Sequence, residues 1–449
     1  MAELNLLSKA EKAVEVGEAL GASEVEAYVR SVDSKRIILT SGIETIHASY
    51  TSGLGARVIM GNRIGFFASS SLAIRDIKTA VKTAYSIAKL NEPDKDWISL
   101  PTKSRKAKAE GVFDKEVAEI EPSMLVEGAA QMLDAVKKGG EKLSITGGDV
   151  SVAIVMTAIV TSHGCSLCRE ETYASASINV KAEEEGLKGL SGEDQQSRNW
   201  RGLDCSSIAE TAAKRASKVI HAKPIASGKM PVIWDNKLFA SVLSIMFGGT
   251  FSADSVQKGR SPWIRKAGKR IASENFTLID DGLLKNGLGT REFDDDGIPQ
   301  QRVTLINRGI LQGFLYDNYT ANKDKRESTG NSSRNYQSPP IPSPNNLSLQ
   351  PGKVKREELL EDVKRGLYLV ETIGEWLSNP ISGDLSATAT NAFLIEDGEL
   401  TKPVKGIIVS GDFFDILNGK INLVADDVEN AGSTYSPSVR ISEMTLAGE

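Results

Sequence analysis

Three histidines and three cysteines are all that 449 residues supply of the side chains most used to hold a catalytic metal. The histidines, His47, His163 and His221, are scattered through the first half, and no H-E-x-x-H spacing accompanies them. Nothing here delivers two imidazoles and a general base from one helix face, the usual arrangement of a hydrolytic zinc site. A G-x-S-x-G elbow is missing, and no histidine lies beyond position 221 to serve a serine in the second half. Gly248-Gly249 stands alone, without a G-x-G-x-x-G or Walker pattern, so no phosphate loop is present.

Positive charge is also short. With 54 Lys and Arg against 59 Asp and Glu, the net charge of -5 argues against direct nucleic-acid binding, which needs clustered cations. The densest basic stretch, residues 103–108, carries no interleaved aromatics and reads as a solvated linker. No apolar run reaches membrane-spanning length, and the first twenty residues lack the apolar core and cleavage site of a signal peptide. A cytoplasmic protein with no membrane partner is expected, and an odd cysteine count fits a reducing compartment. Cys165 and Cys168 form a C-x-x-C beside His163, but only Cys205 remains to complete a metal set. They are expected to be ordinary strand or turn thiols.

What is present is an ordinary globular composition, 40% hydrophobic and 25% charged, in a chain long enough for more than one core. Helical spacing over residues 4–20 stops at Gly21, and β-prone runs follow at 25–31, 36–40, 45–50, 56–60 and 64–69, then a helix over 71–90. After a linker at 91–111 the same order returns: helix 122–138, β-prone runs within 144–197, helix 206–221. Arg36-Ile-Ile-Leu-Thr-Ser-Gly42 also resembles Thr157-Ala-Ile-Val-Thr-Ser-His-Gly164, which is consistent with a duplicated helix–meander–helix unit. From residue 222 the texture changes to hairpin-like strands with Gly and Asp turns, with helices expected at 236–247 and 356–377 and an extended proline-rich stretch at 338–344. The fold class expected is α+β, with an N-terminal domain over 1–221 and a β-rich C-terminal domain over 222–449. Asp280-Asp281 and Asp294-Asp-Asp296 are carboxylate clusters expected in turns, where Asp bonds local backbone more often than it binds Ca²⁺ or Mg²⁺.

The second half resembles the TldD/PmbA family, the so-called modulators of DNA gyrase. The resemblance runs through Leu278-Ile-Asp-Asp-Gly282, Arg291-Glu-Phe-Asp-Asp-Asp-Gly297, Leu305-Ile-Asn-Arg-Gly309, Ser328-Thr-Gly-Asn331, Gly383-Asp-Leu-Ser386, Glu396-Asp-Gly-Glu399 and Met444-Thr-Leu-Ala-Gly448. It implies a two-branch family in which TldD-like subunits carry an H-E-x-x-x-H zinc motif and a later Cys ligand, and PmbA-like (TldE) subunits lack it. The matching window is Ser244-Ile-Met-Phe-Gly-Gly249, placed by Gly248, Asp254, Gly259 and Ser261 downstream. Both His positions are then Ser244 and Gly249, the Glu position is Ile245, and no Cys follows Cys205.

On this basis the chain is expected to have no catalytic and no metal-binding residues of its own and to bind no cofactor. Zinc is expected in a TldD-like HExxxH partner, with unfolded proteins and small peptides as substrate, bound by strand addition to a sheet edge. A stand-alone peptide-binding or scaffold homodimer is the alternative. A self-sufficient hydrolase built on the Asp clusters comes third.

Overall fold

The computed structural model describes residues 2–102 and 104–448. Its first half uses one helix–meander–helix unit twice. Helix α1 (Ala2–Ala19) leads into strands β1 (Glu24–Leu39), β2 (Ile43–Met60) and β3 (Arg63–Ser69), then α2 (Ile74–Leu90). After the short α3 (Lys115–Ala118), α4 (Pro122–Lys138) leads into β4 (Leu143–Thr161), β5 (Ser166–Glu184) and β6 (Leu187–Ser197), then α5 (Cys205–Lys218). Antiparallel pairing of β1 with β4 joins the meanders into one six-stranded sheet, β3-β2-β1-β4-β5-β6. The recurring text at 36–42 and 157–164 falls at equivalent places, the end of each unit's first strand and its turn.

Strand alternation gives this sheet two different faces. Val25, Ala27 and Val29 pack with the apolar residues of α1 and α2, and Val150, Val152, Ala174 and Ala176 pack with those of α4 and α5. Glu26, Tyr28, Arg57 and Arg169 point the other way, toward the second half. A glycine lies where the third strand of each unit crosses its following helix. A Cβ on Gly65 would sit 1.9 Å from the Ala84 carbonyl oxygen, and one on Gly189 would sit 2.0 Å from that of Ala216. The two units are therefore held by the same close strand–helix approach.

The second half contains β7 (Gly228–Trp234), α6 (Asn236–Phe247), α7 (Ala253–Gln257), β8 (Leu278–Asp281), β9 (Arg302–Asn307), β10 (Ile310–Leu311) and α8 (Asn318–Lys323). It continues through β11 (Ser332–Ser333), β12 (Ile341–Pro342), β13 (Leu347–Leu349), β14 (Arg365–Ile373), β15 (Asp384–Glu396), β16 (Glu399–Val404) and β17 (Ile407–Asp412). It ends with β18 (Ile421–Val424), β19 (Glu429–Ala431), β20 (Thr434–Ser436) and β21 (Val439–Ala447). Pairings β14–β7, β7–β21, β21–β17, β17–β15 and β15–β14 close a ring of five strands, parallel only at β14–β7. A second sheet, β10-β9-β8-β13-β20-β19, shares with it the large core filled by Leu238, Phe239, Val242, Leu243, Met246 and Phe247 of α6. The architecture is α+β, and among the described residues no helix is long and apolar enough to cross a membrane.

One expectation is corrected. The helix expected over 356–377 is not formed: a 3₁₀ turn at Glu357–Leu359 breaks at Asp362, whose φ is 62°, and β14 follows. There Leu367 and Leu369 enter the main core while Tyr368 packs in a separate cluster, a period of two. The ring cannot close without this strand, and pairing on both of its edges outweighs helix preferences of at most about 0.7 kcal/mol per residue. The linker at 91–111, though without helix or strand and exposed at Arg105, Lys106 and Lys108, is tied down along its described residues as a strap. Trp97 and Leu100 are buried against Ile59, Ala107 N–H donates to the Glu292 carbonyl at 2.7 Å, and Asn286 N–H donates to that of Glu110 at 3.1 Å.

Because the β-carbon in Gly189→Ala would press on helix backbone rather than on a movable side chain, this substitution is expected to lower folding stability by about 1–3 kcal/mol. Urea unfolding checks it, and an unchanged midpoint would show that β6 and α5 have room to separate.

Candidate functional site

Helix α6 carries the window singled out in the sequence. Its inward residues are fixed by aromatic packing: Phe247 lies 4.9 Å from Phe251 and 5.4 Å from Phe413, ring centre to ring centre. The helix ends as Gly248 N–H donates to the Ser244 carbonyl at 2.9 Å, and the turn beyond is tied down by Thr250 Oγ1 donating to Met246 O at 3.0 Å. Ser244 and Gly249 are exposed, while Ile245 is half-buried and packs against the core. The three positions thus provide one hydroxyl, one aliphatic group and no third side chain. Zinc takes thiolate, imidazole or carboxylate, so this donor set does not fit the ion, and no group here can take a proton from water.

The other candidate ligands are kept apart. His47 lies on the exposed first part of β2; His163, in the β4–β5 turn, is 3.6 Å from Glu24; His221, beyond α5, is 3.3 Å from Glu184. Cys165 packs with Ile159 and Phe293, Cys168 on the opposite side of the sheet beside α1 and α2, and Cys205 in the core under α4 and α5. The C-x-x-C therefore straddles a strand. Burial pushes the Cys165 and Cys205 thiols up to about 11, away from the thiolate that metal binding or redox chemistry needs. Among the described residues no three His, Cys, Asp or Glu side chains converge as a metal-ligand set.

The acidic clusters singled out in the sequence have burial and partners that turn chemistry alone does not foresee. Asp294 does cap a turn, its Oδ1 accepting from the Asp296 and Ile298 N–H groups at 3.0 and 2.9 Å. Asp280 is not in a turn: it lies in β8, fully buried, accepting from Asn331 Nδ2 at 2.6 Å and Asn345 N–H at 2.7 Å. Asp295 and Asp296 close a buried ionic seam between the halves. Arg169 of β5 reaches Asp295 at 2.5 Å, and Arg291 reaches it at 3.2 Å. Arg57 of β2 bridges Glu26 at 2.6 Å and Asp296 at 3.3 Å, and Arg334 closes the circuit on Glu26 at 2.6 Å. The Arg334 guanidinium also lies 4.3 Å from the Tyr28 ring centre, and the Tyr28 hydroxyl donates to Asp295 at 3.2 Å. The only available signals were the positions of Glu26, Arg57 and Arg169 on their strands; none of them names its partner some 125 to 300 residues away.

The seam separates its carboxyls by environment. Burial would raise Asp295, but Arg291 and Arg169 outweigh it and hold the group well below the usual carboxylate range. Glu26 is likewise lowered, burial being overcome by Arg334 and Arg57. Burial and the Asp296 charge push Asp317, at the N-terminus of α8, up to about 6. A carboxyl raised on folding destabilises the native state once pH exceeds its unfolded value near 4, and the full cost is present above about 6. Asn serves as well as Asp at a helix N-terminus. Asp317→Asn is therefore expected to be about 1–2 kcal/mol more stable than wild type at pH 7.5, with the advantage shrinking as pH falls from about 6 to 4. Denaturant unfolding across this range checks the sign; a destabilised variant at pH 7.5 would refute the assignment.

Family models match three successive stretches of the chain. They are described as PmbA/TldA metallopeptidase domain 1, over residues 25–88, its central domain, over 114–219, and its C-terminal domain, over 227–448. Two relatives come from Methanocaldococcus jannaschii. Uncharacterized protein MJ0231 is 29% identical, over 96% of this chain and 97% of its own length, and Metalloprotease MJ0996 is 30% identical, over 94% and 93%. The crystal structure of TldE from Thermococcus kodakarensis shares the fold with a TM-score of 0.87 at 25% identity, covering 98% of this chain and all of that one. Matched by the three family models in order along nearly the whole length, and 30% identical to MJ0996 over 94% of its own length, the chain belongs to the PmbA/TldD metallopeptidase family.

Proposed function

We propose that this chain is the metal-free, TldE-like subunit of a cytoplasmic heteromeric metallopeptidase, with zinc supplied by a partner that carries H-E-x-x-x-H. The observation that carries this reading is the α6 end itself, where Ser244 and Ile245 stand on an intact, well-packed helix and Gly249 lies just beyond it. The scaffold is kept and the chemistry is not. Likeness to TldE over the full chain supports the same reading. The substrates proposed are unfolded proteins and small peptides, cleaved at the partner's site.

The test is casein hydrolysis by this chain and its HExxxH paralogue, purified together, with each component then omitted. Activity should need the paralogue, and this chain alone should show less than about 1% of the pair's rate, because ligand set and base are lost together. Comparable hydrolysis by this chain alone would overturn the proposal. Restoring the motif by Ser244→His, Ile245→Glu and Gly249→His should give at most weak zinc binding and no turnover. Gly249 lies beyond the helix end, no third ligand is at hand, and nothing is arranged to orient new imidazoles. Turnover by this triple variant matching the paralogue would reveal a dormant enzyme instead.

A further inference from the structure

We propose that a basic cavity beside the strap binds an acidic stretch of the peptide substrate. The cavity, about 840 Å³, is walled by strap residues 101–102 and 104–107 on one side and by residues from Asn318 to Ser328 on the other, over a floor formed by Ile298, Pro299, Gln300 and Gln301. Arg105 lines it from the strap and Arg326 from the turn after α8. Both residues are exposed and among the described residues neither has an ion-pair partner, the Arg326 guanidinium lying 5.9 Å from the Tyr316 ring centre. Lys106 also lines the cavity but is neutralised by Glu292 at 2.7 Å, and Glu327 is the one acidic group in the lining. A local excess of cations thus sits in a chain whose net charge is -5.

Two of the polar side chains in the walls are already committed. Gln301 Nε2 donates to the Ser328 carbonyl at 3.2 Å and Asn318 Nδ2 to that of Ser99 at 2.7 Å, so they fix the walls and leave recognition to the cations. Partly enclosed cations attract an anion more strongly than the same charges on a flat surface, because low-dielectric walls focus the field. The volume suits a few residues of an extended peptide. No aromatic ring lines the cavity for base stacking, which disfavours single-stranded nucleic acid as the occupant. That the ligand is a peptide rests on the function proposed above; the charge preference stands without it.

Fluorescence anisotropy of labelled Glu-rich, Gln-rich and Lys-rich hexapeptides with the full chain tests the assignment. At low salt the Glu-rich peptide should bind roughly tenfold tighter than the Gln-rich one, and 300 mM NaCl should remove most of the difference. Arg105→Glu with Arg326→Glu should abolish the preference without changing circular dichroism or thermal unfolding, since both residues are exposed, whereas Arg105→Lys with Arg326→Lys should largely retain it. Equal binding of the three peptides, a preference unaltered in the charge-reversed variant, or tighter binding of a hexanucleotide would each overturn it. Acidic-peptide binding without partner-dependent casein hydrolysis would refute the proposed function and leave the site standing. The converse result would do the opposite.

Discussion

The buried charge seam around Asp295 is the constraint on which the rest of the molecule depends. Taking Arg169, Arg291, Arg334, Arg57, Glu26, Asp295 and Asp296 out of water is costly, and it is offset only when the ions satisfy one another in one arrangement. The sheet of the first half supplies Glu26, Arg57 and Arg169, and the loops of the second half supply the rest. Removing a single member leaves an uncompensated buried charge, a penalty of about 3–5 kcal/mol. The two halves are thereby held in one register, and the strap at 91–111 closes over that joint.

A fixed joint gives the neighbouring groups defined positions. Asp296 sits between Arg57 and the Asn318 N–H at the start of α8, so the ionic seam runs directly into the wall of the basic cavity. Aromatic packing around Phe247 plays the corresponding part for α6, holding the end of that helix in place.

Much of the fold could be read from local patterns. Helices at 122–138 and 236–247 have the expected bounds, since periodicity and burial agree there. The duplicated unit was visible in element order, although Gly65 and Gly189, which reveal its common strand–helix contact, become meaningful only once the sheet is assembled. Residues 356–377 misled because their helical spacing is local while the ring closure that makes 365–373 a strand is not. The same limit hid the seam: Asp295 and Asp296 look like turn residues in sequence, and only tertiary approach shows them facing arginines on β2 and β5. The α6 window differs in being one contiguous stretch, so the structure places all of it at a single helix end.

That window is the centre of the functional reading, and zinc content measures it most directly. Elemental analysis of the chain purified alone, after dialysis without chelator, should find less than about 0.1 equivalent of zinc, because a hydroxyl, an aliphatic group and a glycine offer none of the ligands zinc prefers. Close to one equivalent surviving dialysis would contradict the account and require a metal site built from other residues.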